Sequence, residues 1–127
     1  MARILIIDDD EAMRYLLYRM LTSVGYTVYE AANGAAGMRL VRQERPELVI
    51  TDIFMPEQDG LETICMLKRE FPTIKIVAMS GGGESGTLSY LEMTRKLGAD
   101  LVLGKPLTKE DLLATLQKLG ESTDVLN

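Results

Sequence analysis

Ile4-Leu5-Ile6-Ile7-Asp8-Asp9-Asp10 decides how the chain is read. An apolar run rich in β-branched residues gives way abruptly to three acids. A short run that is apolar throughout suits a strand buried on both faces of a parallel sheet. Acids placed directly after such a strand stand at its carboxyl end, where open α/β sheets bind their ligands. The pattern recurs along the chain. Leu48-Val49-Ile50-Thr51 runs into Asp52, Ile74 to Met79 runs into Ser80-Gly81, and Leu101-Val102-Leu103-Gly104 runs into Lys105-Pro106.

Working outward from these runs, strand and helix patterns alternate. Strand-like segments fall at residues 3–7, 27–31, 48–51, 74–79 and 101–103. Between the first two, Met13, Leu16, Leu17, Met20, Leu21 and Val24 follow helical spacing, and Gly25 stops the helix. Asn33 is placed to cap a second helix carrying Ala36, Met38, Leu40 and Val41, which ends before Pro46. A third helix runs from about Leu61 to Phe71, with Ile64, Leu67 and Phe71 on one stripe and Pro72 as terminator. A fourth lies near residues 87–97 and ends at Gly98. The fifth opens on Thr108-Lys109-Glu110-Asp111, a capping box with Asp in place of Glu, and carries Leu112, Leu113, Leu116 and Leu119. The Leu and Met stripes read as core. The alternation predicts a right-handed, doubly wound α/β domain over residues 1–120, with a polar tail at 121–127.

Composition narrows the chemistry. With 127 residues, 46 % of them apolar and 26 % charged, the chain reads as one globular domain. The net charge of −5 disfavours direct binding to nucleic acid, which relies on basic patches. There is no His, so His-based acid–base chemistry and His metal sites are excluded. The single cysteine, Cys65, allows no intrachain disulfide and no Cys zinc cluster, and it reads as a helix residue of a cytoplasmic protein. No apolar run approaches the ~18 residues of a membrane span, and no signal peptide precedes the first strand.

If the runs lie side by side, one sheet edge gathers carboxylates, a hydroxyl and an ammonium. Carboxylates that close repel one another unless a hard cation joins them, and Mg²⁺ favours such oxygen ligands. Helix-start acids are also favoured by the macrodipole, which accounts for one or two of Asp8, Asp9 and Asp10 but poorly for three. Asp8 and Asp9 are the better metal candidates, and Asp10 the better helix cap. Asp52, beside a metal and a Lys, is a candidate nucleophile that would become an acyl phosphate. Ser80 and Lys105 suit contacts to phosphoryl oxygens, where positioning and electrostatics carry most of the catalysis.

These motifs, together and in order, resemble the response-regulator receiver domain of bacterial two-component signalling. The resemblance spans essentially the whole chain. It rests on Ile4 to Asp10, Val49-Ile50-Thr51-Asp52-Ile53-Phe54-Met55-Pro56 with Asp59-Gly60, Val77-Ala78-Met79-Ser80-Gly81, and Gly98-Ala99-Asp100 followed by Gly104-Lys105-Pro106. It implies a flavodoxin-like fold with five parallel strands in the order 2-1-3-4-5 and five helices. It implies Asp52 as phosphoacceptor, with Mg²⁺ held by Asp9 and Asp52, by Asp8 largely through water, and by the backbone carbonyl of Phe54. Lys105 would pair with the acyl phosphate, and Ser80 would be the switch hydroxyl. Met55-Pro56 and Asp59-Gly60 would shape the loop after the acceptor. The implied donor is a sensor histidine kinase or a histidine phosphotransfer protein, and the implied target is a further, unidentified protein. The chain resembles stand-alone receivers. A transient homodimer through the switch surface is compatible with this, although no patch demands one.

The sequence departs from the family pattern in three places. Val102 stands where most receivers carry an aromatic switch residue, and Val cannot swing as Tyr does. Phe54 occupies a site-facing position that is often polar, and its bulk is expected to slow spontaneous dephosphorylation. Ser80 and Lys105 lie farther apart than is usual, with the excess in Gly81-Gly82-Gly83-Glu84-Ser85-Gly86. That segment nearly mimics a nucleotide-binding P-loop, but Thr87 stands where the essential Lys belongs. It reads better as a loop that rearranges on phosphorylation. Leu88, Tyr90 and Val102 are candidate members of the responding surface. Two rival readings are a pseudo-receiver that binds partners without being phosphorylated and a haloacid-dehalogenase-like phosphatase, whose first motif Asp8-x-Asp10 imitates. Against the phosphatase, Ala12 stands where that motif wants Thr or Val.

Overall fold

The computed structural model describes residues 2–53, 60–80, 92, 94–104 and 108–123, with side chains to Leu119. Strand β1 (Arg3–Ile7) leads to α1 (Glu11–Ser23), β2 (Thr27–Ala31), α2 (Gly34–Glu44), β3 (Leu48–Asp52), α3 (Gly60–Glu70) and β4 (Lys75–Ser80). Residues 92 and 94–96 are helical and are counted here as α4. Strand β5 (Leu101–Gly104) and α5 (Lys109–Thr123) follow. The five strands form one sheet in the order β2-β1-β3-β4-β5, and every neighbouring pair is parallel. This is the doubly wound, flavodoxin-like order expected from the alternation and the resemblance. Helix α5 continues to Thr123, so the polar segment placed at 121–127 begins inside a helix.

Alternate residues of each inner strand feed opposite faces. Leu5, Ile7, Val49, Ile76 and Ala78 pack with Met38 and Val41 of α2 and Ile64 and Leu67 of α3. Ile4, Ile6, Leu48, Ile50, Val77 and Met79 pack with Leu17 and Leu21 of α1 and Leu112, Leu116 and Leu119 of α5. Burying each Leu or Ile contributes about 1.5–3 kcal/mol before entropy is counted. That explains why β1 and β3, almost wholly buried, occupy the middle, while β2 at the edge is largely half-exposed.

The helix ends follow local chemistry. The Asp10 carboxylate accepts from the amides of Ala12 and Met13 at 3.0 and 3.3 Å, capping α1. At its other end Gly25 adopts φ 102°, and the Gly25 and Tyr26 amides return to the carbonyls of Thr22 and Leu21, a Schellman closure that Gly enters without Cβ strain. Asn33 caps α2 through Ala36 at 2.8 Å, and the Thr108 hydroxyl accepts from the Asp111 amide at 3.0 Å. Strands β3 and β4 run one residue beyond the apolar pattern, through Asp52 and Ser80. Hydrogen bonding to the next strand, which ignores side-chain polarity, extends them.

Candidate functional site

The parallel sheet brings the ends of β1, β3 and β4 to one rim. Asp8 follows β1, Asp52 ends β3 and Ser80 ends β4. In register, Ile7 lies beside Thr51, Asp52 beside Met79 and Ser80 beside Gly104. Carboxylate oxygens of Asp8, Asp9 and Asp52 all lie within 4.8 Å of one another. Asp8 is fully buried, Asp52 is 6 % exposed and Asp9 is open to solvent. Ser80 is buried.

Backbone hydrogen bonds hold the chain at Asp8 and just after Asp52. The Asp8 amide donates to the Ala31 carbonyl at the end of β2, 3.1 Å away. The Asp10 amide donates to Asp8 Oδ1 at 2.9 Å, so the β1–α1 turn closes on its own carboxylate. Arg14 Nη1 donates to the Asp8 carbonyl at 2.7 Å, and its Nε lies 3.4 Å from Glu30 Oε1. After Asp52, the Ile53 amide donates to the Met79 carbonyl and the Gly60 amide to the Ile53 carbonyl, at 3.0 and 2.9 Å. A Cβ on Gly60 would collide with the backbone of Asp52 and Ile53. Glycine there lets α3 begin directly against the strand that carries Asp52. Buried Thr51 turns its hydroxyl to the Asp52 carbonyl at 3.1 Å.

Like charges gathered so closely repel one another, more strongly between buried Asp8 and Asp52 than at solvent-screened Asp9. Oxygens bound to one Mg²⁺ stand about 3 Å apart when adjacent and about 4.2 Å apart when opposite. Side-chain shifts of about 1 Å would bring the three carboxylates onto such an ion. The donor set is all oxygen and mixes buried with exposed groups, which fits a hard cation that retains water. It does not fit a closed zinc site.

The structure thus brings Asp8, Asp9, Asp52 and Ser80 together. Asp10 stands apart as the α1 cap. Val102 is half-buried, lies beside Ala78 and packs against the core on the α2 and α3 face. Phe54, Met55, Pro56 and Asp59 lie outside the described residues, as do the glycine-rich segment 81–86, Leu88, Tyr90, Lys105 and Pro106. Cys65 is a half-buried free thiol on α3. The Arg14–Glu30 brace was not read from the sequence. Arg14 follows Asp10 by one helical turn, which is a weak hint, and nothing local links it to Glu30.

Comparison with known proteins places the site in context. The family model described as the response regulator receiver domain matches residues 4–117. Sporulation initiation phosphotransferase F of Bacillus subtilis is 32 % identical over 91 % of this chain and 91 % of its own length. Response regulator MprA of Mycobacterium ulcerans is 34 % identical over 95 % of the chain, which spans about half (51 %) of that longer protein. A solved response regulator receiver domain protein from Clostridium thermocellum superposes with a TM-score of 0.89 at 26 % identity, covering 100 % of both chains.

Proposed function

The chain belongs to the response regulator receiver domain family, a family of two-component signalling modules, and from that membership we propose that it is a phosphorylation switch with Asp52 as phosphoacceptor. The observation that carries the proposal is the convergence of Asp8, Asp9 and Asp52 at the carboxyl rim, with Ser80 ending the adjacent strand. An oxygen of Asp52 attacks the phosphorus of a phosphohistidine on a sensor histidine kinase or a histidine phosphotransfer protein. An O–P bond forms, the N–P bond breaks, and the imidazole leaves with the electron pair. The donor His lies outside these 127 residues, which contain none.

Bound Mg²⁺ supplies neutralisation of charge on the transferring phosphoryl group. Asp8, Asp9 and Asp52 would hold it, with the Phe54 carbonyl. Lys105 pairs with the acyl phosphate, and the Ser80 hydroxyl donates to one of its oxygens. Val102 is too small and too symmetric to act as a rotating aromatic switch. The change of state therefore runs through Ser80 and the segment after it to a surface read by an unidentified protein partner, or transiently by a second copy of the chain. Residues 1–120 are the functional unit, acting in the cytoplasm. None of the described helices is long and apolar enough to cross a membrane. The dehalogenase-like alternative gives way to the family match, and the Asp10 carboxylate on which its motif depends is engaged at the α1 cap.

The direct test is intact mass after incubation with acetyl phosphate, with and without Mg²⁺, beside Asp52→Asn. One phosphoryl adduct that requires both Mg²⁺ and Asp52 is expected. No adduct, together with no beryllofluoride binding, would favour a pseudo-receiver. Phe54→Asn is expected to shorten the lifetime of the adduct severalfold by admitting water, and an unchanged decay rate would remove Phe54 from that role.

A further inference from the structure

We propose that Arg14 is a positioning residue for the acid site and that Glu30 holds it to that task. This rests on the phosphoacceptor reading above and names how the chain aims the acids. The peptide between Asp8 and Asp9 is planar, so fixing the Asp8 carbonyl oxygen also fixes the plane from which Asp9 departs. Arg14 Nη1 holds that oxygen at 2.7 Å. The opposite side of Asp8 is fixed as well, because its amide donates to Ala31. Ala31 and Glu30 both belong to the end of β2. Asp8 is therefore tied to the neighbouring strand twice, directly through its N–H and through Arg14–Glu30 at its C=O. On the other side of Asp9, Asp10 is fixed by its bond to Asp8 Oδ1 and by the α1 cap. The solvent-exposed Asp9 thus stands between two anchored neighbours, and its direction is set by them rather than by contacts of its own head group.

Charge gives Glu30 a second task. A guanidinium without a partner beside three carboxylates would swing onto them and compete with any cation. Pairing at 3.4 Å with Glu30 keeps the Arg14 head group, whose side chain is 17 % exposed, on the backbone carbonyl. A flat guanidinium can serve the carbonyl and Glu30 at once, whereas a Lys ammonium is a single point charge on a flexible stem. Groups that orient metal ligands in this way typically change metal affinity by about 10–100-fold when removed.

The test is Mg²⁺ titration of the full chain by calorimetry, with Arg14→Met, Arg14→Lys and Glu30→Gln. Arg42→Met serves as control, since Arg42 pairs with Glu70 between α2 and α3. Arg14→Met is expected to raise the Mg²⁺ Kd by about tenfold, Arg14→Lys and Glu30→Gln by less, and Arg42→Met not at all. At saturating Mg²⁺ the acetyl-phosphate adduct of Arg14→Met should return to the wild-type yield, which general damage to the fold would not allow. If circular dichroism shows Arg14→Met unfolded, Glu30→Gln carries the test. Mg²⁺ affinities of Arg14→Met and Glu30→Gln within about twofold of a wild type that binds Mg²⁺ and takes up phosphate would overturn the role of Arg14 alone. A wild type that binds no Mg²⁺ would overturn the phosphoacceptor reading and this role with it.

Discussion

The two rims of the sheet treat charge in opposite ways. At the amino rim, opposite charges meet. Glu47 Oε2 accepts from the Arg3 amide at 2.6 Å, and Arg42 reaches Glu70 at 3.0 Å. Asp100 accepts from the Ile76 amide at 2.8 Å while Lys68 and Lys75 lie 3.2 and 3.9 Å from its oxygens. At the carboxyl rim, three carboxylates crowd together. The first arrangement joins α3, β4 and the approach to β5. The second sets like charges side by side, an arrangement that a hard cation can bridge. The difference separates charges that join elements of the domain from charges gathered at one point of its rim.

That contrast can be broken by mutation. The largest effect is expected at the carboxyl rim itself, from Gly60→Val. Its side chain would force apart α3 and the backbone of Asp52 and Ile53, costing about 3 kcal/mol or more in denaturant unfolding; a change under about 1 kcal/mol would show that the approach is loose. Next, Asp100→Ala should destabilise by about 2 kcal/mol, since it removes a charged hydrogen bond to Ile76 and leaves two lysines without their shared acid. The smallest effect should have the opposite sign. Asp9→Asn relieves repulsion and is expected to raise the stability of the metal-free protein by about 0.5 kcal/mol, with the advantage reversing when Mg²⁺ is added. If Asp9→Asn destabilised the metal-free protein, the acids would not be repelling one another as described.

The carboxyl rim was readable in the sequence because each acid or hydroxyl follows its own apolar strand. Strand periodicity and the step from Ile7 to Asp8, Ile50-Thr51 to Asp52 and Met79 to Ser80 are local signals, and parallel pairing carries them to one edge. Caps at Asp10, Asn33 and Thr108 were readable for the same reason, since each acts on amides two or three residues away. The amino rim was not. Lys68 meets Asp100, and Arg3 meets Glu47, only after the sheet has formed. Arg14 with Glu30 is the same kind of pair displaced to the carboxyl rim. Strand ends were underestimated at Asp52 and Ser80 because backbone pairing continues past the last apolar side chain.

The adjacency of β1 and β3 has a consequence in time as well as in space. Asp8, Asp9 and Asp52 all belong to the first half of the chain, and they meet as soon as β3 docks on β1, independently of β5. Folding therefore encounters the mutual repulsion of the acids at that docking step. A divalent cation that offsets it acts on the folding rate if docking belongs to the transition state, and on the unfolding rate if it comes later.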